Sequence, residues 1–220
     1  VTGTDTEIGK TLVSAALLFA LAKTGLRTVG MKPVAAGAEL RDGVWHNEDV
    51  DTLMAAASVP VATKLVSPYL MRTPAAPHIV AQQEQVSISA THILDCYRQL
   101  TQQADAVIVE GVGGFCVPLN ATITTADIAE QLALPVILVV GMRLGCINHA
   151  LLTAQAIKAQ GLTLAGWVAN TVDADMLYLN ENLIAIRERL SAPLLGSIPR
   201  LQQPSAQAAA EFLQLNNLTH

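Results

Sequence analysis

The run Gly3-Thr4-Asp5-Thr6-Glu7-Ile8-Gly9-Lys10-Thr11 combines a glycine turn, a lysine and a hydroxyl, and the apolar segment Leu12–Leu21 follows at once. A loop of this composition between a strand end and a helix start binds phosphate. Successive N–H groups and the positive helix end cradle the oxygens, Lys10 reaches the outer phosphates, and the Thr11 hydroxyl can ligate Mg²⁺. The spacing is one residue longer than the common G-x-x-x-x-G-K-T. Glu110 closes Ala106-Val107-Ile108-Val109 and precedes Gly111-Val112-Gly113-Gly114; a carboxylate there can complete a Mg²⁺ shell or cap the following turn. Asp49, in His46-Asn47-Glu48-Asp49, is a second candidate, although helix starts are acidic for dipole reasons alone. Lys32, just before Pro33, is one of only five lysines. Beside a phosphate site it can stabilise transferred phosphoryl charge; elsewhere it is a solvated charge. Asn170 ends Gly166-Trp167-Val168-Ala169 and offers a base both donor and acceptor, or caps a helix. His78 and His149 lack metal-ligand spacing, Trp45 and Trp167 read as packing residues, and no Ser/His/Asp constellation is legible.

These residues need a scaffold that delivers them to one edge. Val- and Ile-rich runs at Arg27–Lys32, Ala106–Glu110, Val136–Gly141, Thr163–Asn170 and Leu194–Ile198 read as strands, and the bulk of a first strand is expected ahead of Val1. Helical patterns run over Thr11–Thr24, Glu48–Ala57, Ser89–Gln102, Thr125–Leu132, Asn148–Gln160, Asp175–Leu190 and Gln203–Leu215, while the proline-rich Val59–Ile79 reads as irregular. The alternation predicts an α/β P-loop NTPase fold, a mainly parallel sheet with helices on both faces, as a single domain over residues 1–220. Ligands of such sheets bind beyond the carboxyl ends of the strands, so Lys32, Glu110, Gly141 and Asn170 should converge.

Composition supports this and excludes other classes. Hydrophobic residues are 51% and charged residues 14%, which excludes a disordered chain and suits a buried parallel sheet. The apolar runs Leu12–Ala22 and Leu132–Met142 fall short of the ~20 residues that span a membrane. A net charge of −5 with scattered Lys and Arg leaves no footprint for nucleic acid or an anionic membrane. Cys96, Cys116 and Cys146 form no C-x-x-C pair, which fits a reducing, cytoplasmic compartment.

The motifs G-T-D-T-E-I-G-K-T at 3–11, M-K-P-V-A-A-G at 31–37, H-N-E-D at 46–49, V-E-G-V-G-G at 109–114, the run through G-C-I-N-H-A to Ala150, G-W-V-A-N at 166–170 and A-P-L-L-G-S-I-P at 192–199 occur in one order. In them the chain resembles the dethiobiotin synthetase family of the biotin pathway, over nearly its whole length. The resemblance implies an ATP-dependent cyclo-ligase that turns 7,8-diaminononanoate, CO₂ and ATP into dethiobiotin, ADP and phosphate through a carbamate and a carbamic-phosphoric anhydride. It implies that Glu7, Ile8, Gly9, Lys10, Thr11 and Leu12 hold the phosphates and that Thr11, Asp49 and Glu110 gather Mg²⁺. Lys10 and Lys32 would flank the carbamate and γ-phosphate, with Lys32 in the catalytic position and Thr6 and the residue at 36 near the substrate. Glu110, Gly111, Val112 and Gly113 would line the nucleotide, Asn170 with Thr171 the adenine, and Pro199, Arg200 and Leu201 the base. A homodimer is implied, in which the N–H groups of Gly145, Cys146, Ile147 and Asn148 hold the carboxylate of the neighbour's substrate.

Three positions depart from the family pattern. Ala36 stands where many members have a serine, Asn182 where a tyrosine is expected, with Tyr178 one turn away, and Gln202–Ala206 lacks an acidic residue for the ribose. These departures admit a paralogue with a different substrate. A partitioning or septum-positioning switch ATPase is the other alternative, but that class carries an extra lysine at the start of the loop, where Thr4 to Ile8 stand here. A cobyrinate amidotransferase would need a glutaminase domain, and a nucleotide kinase an arginine-rich lid.

Overall fold

Parallel strands require long crossovers, and this chain supplies them as helices. The computed structural model describes residues 1–217. In order, the elements are β1 (Thr2–Gly3), α1 (Lys10–Lys23), β2 (Thr28–Met31), β3 (Val34–Ala36), β4 (Glu39–Arg41), β5 (Val44–His46), α2 (Glu48–Ala56), α3 (Thr63–Val66), β6 (Tyr69–Met71), α4 (Pro77–Gln83), α5 (Ala90–Thr101), β7 (Ala106–Val109), α6 (Thr125–Leu132), β8 (Val136–Met142), α7 (Cys146–Ala159), β9 (Leu164–Thr171), α8 (Leu179–Arg189), β10 (Leu194–Ile198) and α9 (Ala206–Ala210). A short 3₁₀ turn, Leu215–Asn217, follows.

The strands β1-β8-β9-β10 form a parallel ladder in that order, and β2 pairs with β7, also parallel. Val1 joins the two ladders: its backbone nitrogen donates to the Val109 carbonyl at 2.7 Å, and the Gly111 N–H donates to the Val1 carbonyl at 3.0 Å. The period-2 alternation of a strand divides β8 between two cores. Ile137 and Val139 face α1 with Val168 and Leu195, whereas Leu138, Val140 and Met142 pack with Trp167 and Ile186 under α7 and α8. Being buried on both faces, β8 reads as a continuous apolar run.

The expected strands recur within a residue or two, and the helices shift where local chemistry intervenes. α7 begins at Cys146 rather than Asn148, because Gly145 adopts φ 93° and caps it. α8 begins at Leu179 rather than Asp175: the Asp173 carboxylate accepts the Asp175 N–H at 3.0 Å, holding that stretch in a turn. The C-terminal helix shrinks from Gln203–Leu215 to α9, since Gln214 donates its N–H to the Leu195 carbonyl at 2.7 Å and Leu213 bridges to Gly196. Val59–Ile79 is more ordered than its prolines suggest; it contains α3 and β6, and β6 pairs in parallel with β3. The hairpin β4–β5 was not legible by strand length, yet it turns on Asp42-Gly43, both at positive φ.

The loop after β1 is seated by one side chain. Ile8 is 1% exposed. It fills the space that a Cβ on Gly3 or Gly141 would need, the latter lying 2.5 Å from Ile8 Cγ2. Gly141→Ala should therefore destabilise the protein by about 1–3 kcal/mol in urea unfolding, as overpacking does. A loss below about 0.5 kcal/mol would show that Ile8 is not a fixed seat.

Candidate active site

The loop between β1 and α1 is held from several sides. The Thr4 N–H donates to the Val139 carbonyl at 3.0 Å. Asn170 Nδ2 donates to the Ile8 carbonyl at 2.8 Å. Asp5 is a junction: one carboxylate oxygen accepts the Thr6 N–H at 2.7 Å, the other pairs with Arg143, and its carbonyl accepts Lys10 Nζ at 2.7 Å. Glu7 and Gly9 take positive φ, 57° and 85°. α1 starts at Lys10 with no side-chain cap and no acid in its first turn, which leaves its free N–H groups and dipole for an anion.

Next to this loop, Lys32 lies 3% exposed past the end of β2, with Nζ 2.7 Å from Asp49 Oδ2 and 2.6 Å from Glu110 Oε1. The Thr11 hydroxyl is 2.7 Å from Asp49 Oδ1 and 2.8 Å from Glu110 Oε1, so two carboxylates converge on one hydroxyl proton. Glu110 is fully buried and its Oε2 has no partner. Ladder register produces this meeting, because Met31 pairs with Val109 and the next residue of each strand is Lys32 and Glu110. Asp49 arrives on the first turn of α2, whose cap Asn47 accepts N–H donation from Asp49 and Val50.

Electrostatics divides the two lysines. Burial pushes Lys32 down, but the Glu110 and Asp49 carboxylates outweigh it and hold its base strength above the ordinary value. Lys10 has no such pair. Burial first, and the Lys32 charge second, lower it from 10.5 to about 8, with Glu110, Asp49 and Asp5 opposing. Asp49 is lowered in spite of burial by Lys32, Thr11 and Lys10. The result is a phosphate loop beside two lysines and two carboxylates, an arrangement suited to binding a triphosphate and stabilising the charge of its transferred group.

Residues 1–208 match a family described as an AAA domain. Over 222 aligned residues, covering 99% of this chain and 94% of the relative, the sequence is 55% identical to the ATP-dependent dethiobiotin synthetase BioD of Janthinobacterium sp. (strain Marseille). The chain belongs to the dethiobiotin synthetase family. Its fold is also that of more distant P-loop NTPases. The septum site-determining protein MinD of Pyrococcus horikoshii OT3, solved with Mg-ADP, is similar with a TM-score of 0.54 at 17% identity, over 99% of this chain and 86% of that one. A ParA family ATPase from Chlorobium tepidum TLS gives 0.57 at 14% identity, over 99% and 94%.

Within the family frame, the fold brings Thr11, Lys32, Asp49 and Glu110 into one bonded cluster, with Lys10 close enough to feel the charges of Lys32, Glu110 and Asp49 while its Nζ bonds the Asp5 carbonyl. Gly113, at φ 65°, stands beside Thr6, so the segment from Gly111 through Val112 passes next to the loop. Ile8 contributes its side chain to the core and its carbonyl to Asn170. Ala36 lies on β3, its carbonyl taking Asn47 Nδ2 at 3.1 Å. Thr171 ends β9 next to Asn170, and Pro199 and Arg200 are exposed just past β10, with Leu201 half-buried. Around Gly145 to Asn148, Cys146 is buried and its Sγ lies 3.9 Å from Asn182 Oδ1, while Asn182 Nδ2 donates to the carbonyl of Tyr178 at 2.8 Å. The Asp5–Arg143 pair was missed by sequence reasoning. Arg143 follows directly on β8 at the same sheet edge as Lys32, Glu110 and Asn170, and the strand-end rule that found those residues also reaches it.

Lys10 yields a pH-dependent prediction. Its depressed value means that the folded protein holds this proton less tightly than the unfolded chain, so its charge opposes folding below about pH 8 and the opposition fades between 8 and 10.5. In urea unfolding of the nucleotide-free protein, Lys10→Met should be at least as stable as wild type at neutral pH, with the difference shrinking toward pH 10.5, and it should bind ATP far more weakly. A variant less stable at neutral pH would contradict this assignment.

Proposed function

We propose that the cluster at the end of β2 and β7 performs dethiobiotin synthesis on 7,8-diaminononanoate, CO₂ and ATP, within one synthetase domain formed by residues 1–220. One substrate amine adds to CO₂ and loses a proton to give a carbamate. A carbamate oxygen attacks the γ-phosphorus and ADP leaves, forming the mixed anhydride; the second amine then attacks the carbonyl carbon, expels phosphate and closes the ureido ring. Each step moves negative charge among oxygens, so positioning and electrostatic stabilisation carry the rate. Lys10 meets the β- and γ-phosphates from the loop. Lys32 stabilises the carbamate and the transferred phosphoryl group. Thr6 and Ala36 border the diamine; Ala36 offers no hydroxyl, which removes one hydrogen bond worth about 0.5–1.5 kcal/mol.

The observation that carries this reading is the meeting of Lys10, Lys32, Thr11, Asp49 and Glu110 beside the loop. It also fits Mg²⁺. Two lysines and two carboxylates balance in the nucleotide-free protein, so a triphosphate brings more negative charge than the two lysines offset. Thr11, Asp49 and the partnerless Glu110 Oε2 supply the hard oxygens such a cation takes. Bound there, Mg²⁺ would offset phosphate charge and orient the chain of phosphates.

Asn170, Thr171 and Pro199 to Leu201 lie at the strand ends where the adenine would sit. Exposed apolar residues at the α7 and α8 starts, Leu144, Leu177 and Tyr178, with Leu152 and Ile184 further along, suit a homodimer in which Gly145–Asn148 binds the partner's substrate carboxylate. Cys96, Cys116 and Cys146 are free thiols, in keeping with a cytoplasmic location. Among the described residues no helix is long and apolar enough to cross a membrane.

With Mg-ATP and bicarbonate, phosphate release should depend on added diaminononanoate. Turnover indifferent to the diamine but stimulated by DNA or membranes would sink the synthetase reading. Lys32→Ala should lower kcat by at least about 10²-fold while ATP affinity, followed by calorimetry, stays within a few-fold. Loss of ATP binding with the fold intact would refute the role given to Lys32.

A further inference from the structure

Asn170 makes a contact that reading a base does not require. Its side chain is buried, 7% exposed, and Nδ2 donates to the Ile8 carbonyl at 2.8 Å. A carbonyl only accepts, so the amide orientation is dictated by this partner: the nitrogen faces the loop and Oδ1 is left over. The carbonyl belongs to the peptide that joins Ile8 to Gly9. In a planar trans peptide the C=O and N–H point in opposite directions, so anchoring the Ile8 oxygen on Asn170 aims the Gly9 N–H away from Asn170.

That peptide leads directly into the helix N-cap. Gly9 is the N-cap of α1, at φ 85° and without any side-chain cap bond, and Lys10 is the first helical residue. A Cβ on Gly9 would stand 2.2 Å from Asn170 Nδ2, which shows how closely the amide lies against the turn. The other anchors act elsewhere. Ile8 fixes the loop through its side chain, and Arg143 fixes it through Asp5, three residues earlier in the chain. Among the described residues Asn170 is the side chain bonded to the Ile8–Gly9 peptide.

We infer that Asn170 is a positioning residue of the phosphate loop: it sets the Ile8–Gly9 peptide so that the Gly9 N–H and Lys10 meet the phosphates. The inference deepens the ATP reading and rests on it. One amide thereby serves both ends of the nucleotide, one N–H of its nitrogen committed to the loop and its acceptor oxygen left for the base. A change at Asn170 must then be felt by a ligand that has phosphates and no base.

Inorganic tripolyphosphate is that probe. Wild-type protein should bind it in competition with ATP; failure to do so would refute the phosphate-loop reading itself. Asn170→Ala should weaken tripolyphosphate by about tenfold or more, the worth of one well-placed hydrogen bond, and should lower kcat at saturating ATP. Unchanged tripolyphosphate affinity together with weakened ATP would mean that Asn170 acts on the base alone, and the inference falls. Should Asn170→Ala not fold, Gly9→Ala, which drives the amide off the loop, takes the same measurement, and unchanged tripolyphosphate affinity there overturns the inference equally.

Discussion

The edge that carries the chemistry depends on keeping Lys32 charged at 3% exposure. An isolated ammonium out of water is penalised by several kcal/mol and would shed its proton. Here two carboxylates within 2.7 Å prevent that, and each comes from a different element: Glu110 from the end of β7, Asp49 from the first turn of α2. The ammonium therefore imposes conditions on the whole first half of the chain. The β2–β7 register must pair Met31 with Val109, the Glu110 N–H must extend the ladder to the Met31 carbonyl at 2.7 Å, and α2 must cap at Asn47. A slip of one residue would turn Lys32 and Glu110 to opposite faces and leave a charge stranded in the core.

The phosphate loop obeys a different constraint, that of close approach. Its N–H groups can surround an anion only if the backbone is held open while nothing fills the space, so the restraints come from behind. Ile8 packs into room that glycines at 3 and 141 leave free, and Asn170 and Arg143 bond the loop from the ends of neighbouring strands. The two lysines then differ as their surroundings require. Lys32 is compensated and stays charged; Lys10 is buried with its Nζ on a carbonyl, its charge waiting for a phosphate partner.

How much of this could be read in the sequence follows from which interactions are local. The P-loop, the strand ends at Lys32 and Glu110 and the apolar β8 are short-range signals, and they stand where they were expected. Asp49 was ambiguous for a physical reason: an acid in a first helical turn is explained by the dipole alone, and its pairing with Lys32 is a long-range contact that the local sequence does not carry. Local sequence reads Asn170 as meeting a base or capping a helix, because nothing in its own segment points to a carbonyl 162 positions away. The C-terminal helix failed in the same manner. Gln203–Leu215 has helical composition, but the pull of Leu195 and Gly196 on its second half outweighs propensity.

The likeness to MinD and ParA, at 17% and 14% identity, shows how little the sheet itself says about chemistry. What differs between such proteins is the set of side chains delivered to the strand ends. In this chain two of its five lysines are buried there, in a protein with only 14% charged residues. A switch that senses a γ-phosphate needs the loop and a cation site. A ligase that builds a carbamic-phosphoric anhydride must in addition hold a second anion against that phosphate. Two like charges brought together require a cation that no single phosphate uses up, and Lys32, held by Asp49 and Glu110 without any nucleotide, is the residue proposed here for that part.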